Sequence, residues 1–224
     1  MTYTSHIPVI AIDGPSASGK GTVAQHVARQ LGYHYLDSGA LYRLVALAAR
    51  HVNMSWQNAG ALATMALELD IRFVDDRIML NGQDVSEEVR SEEIGKGASE
   101  VAVHPEVRAA LLDLQHSFRK PPGLVADGRD MATVVFPDAA TKIFLTATAE
   151  VRAERRYKQL MEKGKHANLR DILHDLQLRD ARDSQRTAAP LQQSADAILL
   201  ETSQLSIEEA VKFIIEAAGQ QHAH

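Results

Sequence analysis

The sequence contains no cysteine among its 224 residues. Disulfide bonds and thiolate metal sites are therefore excluded, and the composition fits a reducing compartment. Aromatic residues are also scarce, at 5% of the chain, and they are not interleaved with basic residues. Together with a net charge of -5, this pattern disfavours a protein that binds nucleic acid.

Long hydrophobic runs are missing as well. No apolar run approaches the ~18 residues of a membrane span. The first residues, MTYTSHIPVIAID, lack the basic start and apolar stretch of a secretory signal peptide. Hydrophobic residues make up 45% and charged residues 24% of the chain, as is ordinary for a globular protein. We therefore expect a soluble, cytoplasmic protein without a membrane partner.

Short apolar runs alternate with helical patterns along most of the chain. IPVIAI at 7–12 is typical of a strand buried on both faces of a parallel sheet. Further strands are predicted at 33–36, 124–126, 142–147 and 197–200, and helices at 20–31, 39–51, 56–69, 105–119, 150–163, 169–186 and 206–218. The last helix begins with a predicted capping box, Ser206 and Glu209. This alternation predicts a three-layer α/β fold with helices flanking a parallel sheet.

A different pattern interrupts this alternation near the middle of the chain. Short strands are predicted at 71–74 and 78–80 around Asp75-Asp76-Arg77, and Asn81-Gly82 is a tight-turn signal. We predict a single domain over 1–224 that carries a small β-containing insertion at about 60–104. A short lid is expected at about 155–168.

Residues 14–22, GPSASGKGT, nearly match the phosphate-binding pattern G-x-x-x-x-G-K-[ST] and lie between a predicted strand and a helix. Loop and helix-start amides bind anions there, and Lys20 adds a positive charge for the outer phosphates. An ordinary glycine turn is the alternative. The predicted ATP-binding residues of this loop are Gly14, Pro15, Ser16, Ala17, Ser18, Gly19, Lys20, Gly21 and Thr22.

Gly21 stands where switch-type GTPases place a magnesium ligand, and Thr22 follows one position late. The form GxxxxGKGT resembles the loop of nucleoside monophosphate kinases, in which the metal rests mainly on substrate phosphates and water. The chain also lacks the N-K-x-D guanine motif of GTPases. These features favour a kinase over a nucleotide-dependent switch.

A kinase needs a second anion site, and two polar segments follow predicted strands. Ser38 and Arg43 come after the second strand, at the sheet edge where open α/β sheets bind ligands. A helix N-cap and a solvated surface residue are the respective alternatives. In VADGRDMATVVFP, Arg129 can clamp a phosphate, and Asp130 can accept from a base or orient an arginine. A surface turn is the alternative there.

The segment LRDARDSQR carries a third polar cluster. Arg179, Arg182, Asp183 and Arg186 fall on one predicted helical face, where a polyphosphate would neutralise the cations. A solvated face with internal ion pairs is the alternative. A further basic face begins with Arg152, Arg155 and Arg156, from which Arg155 is expected to contact ATP.

Four motifs in this order, GPSASGKGT, LDSGALYR, ADGRDMATVVFPDA and RDARDSQR, resemble bacterial cytidylate kinase, a P-loop nucleoside monophosphate kinase. The resemblance covers essentially the whole chain, including the insertion that separates this family from adenylate kinases. It implies transfer of phosphate from ATP to CMP or dCMP. Mg²⁺ would be held mainly by nucleotide phosphates and water rather than by a protein metal site.

The resemblance also implies individual roles. It assigns the CMP phosphate to Ser38, Arg43 and Arg129, with Arg186 reaching the phosphate or the base edge. It assigns cytosine to Ser99, Arg108 and Asp130, and the sugar hydroxyls to Arg179 and Asp183. Lys20, Arg129 and Arg186 are the predicted catalytic residues.

Some features remain open to other interpretations. Without the resemblance, Ser99 would be a helix-interior serine and Arg108 a helix-surface arginine. Ala132 departs from the family, which usually has glycine there, and we expect its methyl group to cost little. His222 and His224 have metal-like spacing, but a frayed terminus explains them better. A kinase for another nucleotide or acceptor and a non-catalytic nucleotide switch are the alternative functions, and a monomer is expected.

Overall fold

The structure is a computed structural model that describes residues 7–74 and 77–221. Asp75 and Asp76 of the predicted insertion, and His222 and His224 of the tail, lie outside the described residues. The chain divides into two compact units. The first unit comprises Met1–Leu36 and Phe118–His224, and the second comprises Asp37–Ser117.

The strands, in chain order, are β1 (Val9–Asp13), β2 (His34–Asp37), β3 (Ile71–Val74), β4 (Arg77–Leu80), β5 (Gln83–Asp84), β6 (Leu124–Gly128), β7 (Thr141–Thr146) and β8 (Ile198–Glu201). The α-helices are α1 (Lys20–Leu31), α2 (Ser38–His51), α3 (Ala59–Glu68), α4 (Glu92–Val101), α5 (Pro105–His116), α6 (Ala149–Glu162), α7 (Leu169–Gln185) and α8 (Ile207–Gln221). A 3₁₀ turn spans Glu88–Arg90, and a π-helical turn spans Met131–Val135. Among the described residues, no helix is long and apolar enough to cross a membrane.

The first unit is built on a five-stranded sheet in the order β2-β6-β1-β7-β8. β1 pairs in parallel with β6 and β7, and β7 pairs in parallel with β8. Every residue of β1 and β6 is buried, including Asp13 and Asp127, which follow the predicted apolar runs. The α1 residues Val23 and Val27 pack against this sheet in one core with Ile214 of α8. The predicted α/β fold class is confirmed.

The register of the central strands sets the position of two polar loops. Asp13, the last residue of β1, is level with Gly128, the last residue of β6. The chain segments that follow these two strands therefore leave the same edge of the sheet. This edge is where the phosphate-loop motif and the GRD motif were predicted.

The second unit combines helices with a small antiparallel sheet of β3, β4 and β5. Asn81 and Gly82 both have positive φ values, 50° and 81°, and join β4 to β5 as the predicted tight turn. The helix predicted from Trp56 begins later, at Ala59, because the Asn58 side chain caps it by accepting from the Ala61 amide. Trp56 instead donates from Nε1 to the Ala46 carbonyl at 2.9 Å.

Candidate functional site

The phosphate loop leaves β1 at Gly14 and enters α1 at Lys20. Only glycine fits at Gly14, because a Cβ atom there would lie 1.9 Å from the carbonyl oxygen of Leu145. Gly19 precedes the helix with a left-handed φ of 90° and supplies no side-chain cap. The first amides of α1 are therefore not capped by the Gly19 position, which is the arrangement that suits an incoming anion.

Lys20 lies in this loop with only 8% of its surface exposed. Its Nζ donates to the Pro15 carbonyl at 3.2 Å, so the ammonium group folds back along the loop. The Ser18 hydroxyl is also buried, and it has no hydrogen-bond partner in the part of the chain that the structure describes. An unsatisfied buried hydroxyl in the same loop as a buried ammonium group suits a polar ligand such as a phosphate.

Gly21 leaves room next to two polar groups. A Cβ atom at this position would lie 3.7 Å from Tyr35 Oη and 3.9 Å from Asp127 Oδ2, which are ordinary contacts. Tyr35 itself donates to Asp127 Oδ1 at 2.6 Å. Asp127 thus places a carboxylate beside the loop, a partner that the sequence analysis did not assign. Thr22 follows on the exposed side of α1.

Arg129 joins the phosphate loop to α7. Its Nη2 donates to Ser16 Oγ at 2.7 Å, and its Nε donates to Asp183 Oδ2 at 2.9 Å. Asp183 is almost fully buried. Burial by itself raises the pKa of Asp183, but the positive charges of Arg129, Arg179 and Arg186 hold it below its ordinary value. The GRD motif and the RDARDSQR motif are therefore brought together, and the surface-turn interpretation of Arg129 is wrong.

Arg182 does not belong to this cluster. It was predicted on the same face as Arg179, Asp183 and Arg186, but its side chain is exposed, whereas Asp183 is buried. A step of three residues rotates the helix by about 300°, so Arg182 falls at the margin of the face. Arg186 lies just past the end of α7, with extended backbone, and its Nε donates to the Ala189 carbonyl at 2.6 Å.

Asp13 anchors the segment that follows Arg129. Its carboxylate oxygens accept from the amides of Met131 and Ala132, both at 2.8 Å. Because Ala132 contributes its backbone amide, this anchor does not require glycine there. Burial is the main cause that raises the pKa of Asp13 to about 6, and Asp130 raises it further. The hydrogen bonds from the amides of Ala132 and Met131, and the positive charge of Lys20, lower the pKa of Asp13.

The Asp13 pKa predicts a pH-dependent stability. The folded-state pKa of about 6 lies above the ordinary 3.8, so the folded protein binds this proton more tightly than the unfolded chain. The contribution of Asp13 to stability therefore increases as the pH falls from 6 towards 3.8 and is lost as the pH rises. Relative to an Asp13→Asn variant, the wild type should gain roughly 2 kcal/mol in unfolding free energy between pH 7.5 and 4.5. Urea unfolding at both values measures this, and an unchanged difference would contradict the raised pKa.

Two arginines of α6 donate hydrogen bonds to backbone carbonyls of the phosphate loop. Arg152 is buried, donates from Nη1 to the Ser16 carbonyl at 3.1 Å, and forms an ion pair with Asp180 at 2.6 Å. Arg155 donates to the Ser18 carbonyl at 3.0 Å and to the Thr202 carbonyl at 2.6 Å. Arg152 thus connects the loop to Asp180 of α7, a structural role that the sequence analysis did not predict. Arg155 lies at the loop, where an ATP contact was expected.

In the second unit, Ser38 and Arg43 both lie on α2. Asp37, rather than Ser38, caps the helix, because its side chain accepts from the Ala40 amide. The N-cap interpretation of Ser38 is therefore wrong, and the Ser38 hydroxyl instead donates to Gln115 Oε1 at 2.8 Å. Arg43 donates to the carbonyls of Val89 at 3.0 Å and Ser91 at 3.2 Å. It is held in place rather than free on the surface.

Ser99 and Arg108 lie on the neighbouring helices α4 and α5. The Ser99 hydroxyl is buried and has no hydrogen-bond partner among residues 7–74 and 77–221. The Arg108 guanidinium lies 5.4 Å from the centroid of the Tyr42 ring and donates to the Ala102 carbonyl at 3.2 Å. The Tyr42 ring and this hydrogen bond fix the guanidinium in position.

The sequence model of the family described as cytidylate kinase matches residues 10–220. The chain belongs to the cytidylate kinase family. It is 60% identical to the cytidylate kinase of Polynucleobacter asymbioticus over 212 residues, which covers 95% of this chain and 96% of that one. It is 58% identical to the cytidylate kinase of Cupriavidus necator, covering 94% and 95% of the two chains. The predicted family is confirmed.

Solved structures resemble this cytidylate kinase family member in fold alone. A gluconokinase from Sinorhizobium meliloti matches with a TM-score of 0.51 at 13% identity, covering 96% of this chain and 93% of that one. An uncharacterized protein from Eubacterium ventriosum matches with a TM-score of 0.52 at 12% identity, covering 96% and 99%. These likenesses support the α/β fold and say nothing about the substrate.

Proposed function

We propose that this chain transfers the γ-phosphoryl group of ATP to CMP or dCMP, producing ADP and CDP or dCDP. Membership of the cytidylate kinase family supports this reaction class. The observation that carries the proposal is the link from the phosphate loop through Ser16 and Arg129 to Asp183. That link connects a triphosphate-binding loop to a cationic cluster, which is what phosphoryl transfer to an anionic acceptor requires.

The loop of residues 14–22 is proposed to bind the ATP phosphates, with Lys20 at the outer phosphates and Arg155 contacting the nucleotide. The buried Ser18 hydroxyl and the Asp127 carboxylate fit a magnesium–phosphate complex, because Mg²⁺ prefers few carboxylates together with water and phosphate oxygens. Bound Mg²⁺ would neutralise charge on the phosphates. Thr22 is proposed to bind the ATP phosphates, and Asp127 would supply a carboxylate beside the loop.

The acceptor roles are assigned within each unit. In the first unit, Arg129 is proposed to bind the acceptor phosphate, Asp130 the cytosine, and Arg179 and Asp183 the sugar hydroxyls, with Arg186 at the phosphate. In the second unit, Ser38 and Arg43 are proposed to bind the phosphate. Ser99 and Arg108 are proposed to bind cytosine, and the unsatisfied hydroxyl of Ser99 supports a polar partner there.

The reaction requires no general base. An oxygen of the CMP phosphate attacks the γ-phosphorus in line, and the bond to the bridging β–γ oxygen breaks, so that ADP leaves. Lys20, Arg129 and Arg186 would stabilise the negative charge on the transferred group. Asp183 is buried and holds Arg129 by a hydrogen bond, so this cation is positioned before the substrate arrives.

A panel of acceptors tests the proposed function. Purified protein is mixed with Mg-ATP, and ADP release is measured with CMP, dCMP, UMP, dTMP, AMP and GMP. We expect CMP and dCMP to give far faster release than the other nucleotides. Faster release with another nucleotide would overturn the cytosine assignments, and release that no acceptor stimulates would favour a nucleotide switch. A cytoplasmic location and a monomeric state remain predictions.

A further inference from the structure

A buried glutamine lies directly behind Ser38. Gln115 on α5 has none of its surface exposed, and its Oε1 accepts from Ser38 Oγ at 2.8 Å. Its Nε2 is also buried and has no hydrogen-bond partner in the described part of the chain. A buried donor without an acceptor costs about 1–3 kcal/mol, so its presence calls for a function.

The direction of the Ser38 hydrogen bond conflicts with the role proposed for Ser38. A phosphate group at neutral pH offers acceptors, so a serine that binds it must donate its hydroxyl proton to a phosphate oxygen. In the structure that proton is donated to Gln115 Oε1 instead. A hydroxyl has only one proton, so Ser38 cannot make both hydrogen bonds at once.

Rotation of the Gln115 amide by half a turn removes the conflict. The amide oxygen and nitrogen are nearly equal in size, so they exchange places without new space. Nε2 then donates to Ser38 Oγ, which frees the Ser38 proton for an external acceptor. The same rotation gives the unsatisfied Nε2 a partner and moves Oε1 to the position without one, which is the less costly arrangement because unpaired carbonyl oxygens are tolerated more often than unpaired N–H groups. Gln115 then donates to Ser38, and Ser38 donates to the external acceptor. Consecutive hydrogen bonds of this kind polarise and strengthen one another.

We propose that Gln115 is a positioning residue for the acceptor nucleotide: its Nε2 donates to Ser38 Oγ, so that the Ser38 hydroxyl donates to the acceptor phosphate. The inference rests on the proposed function, because it concerns the phosphate of the same acceptor. Gln115 does not touch the substrate in this arrangement. Its effect passes only through Ser38, which gives the proposal a specific signature.

The first test replaces the donor by an acceptor of the same shape. In a Gln115→Glu variant, assayed at a pH at which this carboxyl group is ionised, the carboxylate only accepts, so it should retain the Ser38 proton. We expect the KM for CMP to rise about 10–100-fold, as for loss of a hydrogen bond to a charged group. The inhibition constant of cytidine, which lacks the phosphate, should stay within about twofold of the wild type. A structural defect would weaken both ligands.

Two further variants keep the proposal testable if the Gln115→Glu protein folds poorly. Gln115→Met removes donor and acceptor with little change of shape, and a smaller rise of about 3–10-fold in the CMP KM is expected, again without an effect on cytidine. In a Ser38→Ala background, Gln115→Glu should have no additional effect on CMP. Gln83→Glu makes the same chemical change on the exposed surface of the second unit and serves as the matched control.

Three results would overturn the proposal. They are an unchanged KM for CMP in both Gln115 variants, equal weakening of CMP and cytidine, or a Gln115→Glu effect that persists in the Ser38→Ala background. Failure of the proposed function is separately visible, because it appears in the wild-type acceptor panel. If another nucleotide gives the fastest ADP release, the Gln115 variants are compared with that nucleotide and its nucleoside. The role of Gln115 is then still decided.

Discussion

Replacing Lys20 by alanine is expected to lower the rate of phosphoryl transfer by about 10²–10³-fold while the fold is retained. The buried ammonium group donates to the Pro15 carbonyl in the loop that is proposed to bind the transferred phosphate. Loss of one preorganised donor at such a position typically removes rate enhancement of this size. The measurement is kcat with saturating CMP and Mg-ATP, together with a circular dichroism spectrum.

The matched control for this prediction is Lys212→Ala. Lys212 is exposed on α8 and pairs only weakly with Glu216, at 3.8 Å. Its removal deletes the same charge from the same unit, and kcat should stay within about twofold of the wild type. A Lys20→Ala protein with near-normal kcat would show that the loop does not act on the transferred phosphate.

Replacing Asp183 by alanine is expected to weaken both CMP binding and stability. The carboxylate is buried among Arg129, Arg179 and Arg186, and it holds Arg129 by a 2.9 Å hydrogen bond. Without it these cations repel one another, and a proposed sugar contact is lost. Removing one partner of a buried ion pair costs about 3 kcal/mol or more in unfolding free energy. We expect the KM for CMP to rise about 10–100-fold.

Urea unfolding and steady-state kinetics check this prediction, with Asp175→Ala as the control. Asp175 is an exposed aspartate of the same helix, so its replacement should leave both measurements nearly unchanged. An Asp183→Ala protein with wild-type stability and an unaltered KM for CMP would contradict both roles of the carboxylate.

Elements with strong local signals were predicted well from the sequence. The apolar runs at 7–12 and 124–126 predict buried strands, and β1 and β6 are both buried. The capping box of α8 forms as predicted, with the Ser206 amide donating to Glu209 and the Glu209 amide donating to Ser206. These features depend on neighbouring residues alone, so the sequence contains the information that decides them.

Boundaries and partners were predicted less well. The helix expected from Trp56 begins at Ala59, because Asn58 caps it and Trp56 bonds to Ala46 instead. Arg182 was predicted on the same helical face as Arg179 and Arg186, but it lies at the margin of that face and is exposed. The sequence could not decide these cases, because exposure depends on which neighbouring element covers a helical face.

The sequence by itself determined the phosphate loop, the α/β alternation and the family, because each is a contiguous pattern. Only the tertiary structure decided which polar residues share one environment. Asp13 and Ala132, Ser16 and Arg129, and Ser38 and Gln115 are far apart in the chain and in direct contact in space. Parallel strands bring loops that are distant in the chain to one edge of the sheet. Helix packing buries Gln115, although glutamine is a residue type that is usually exposed. Hydrogen bonds between such residues are long-range contacts, which no local pattern records.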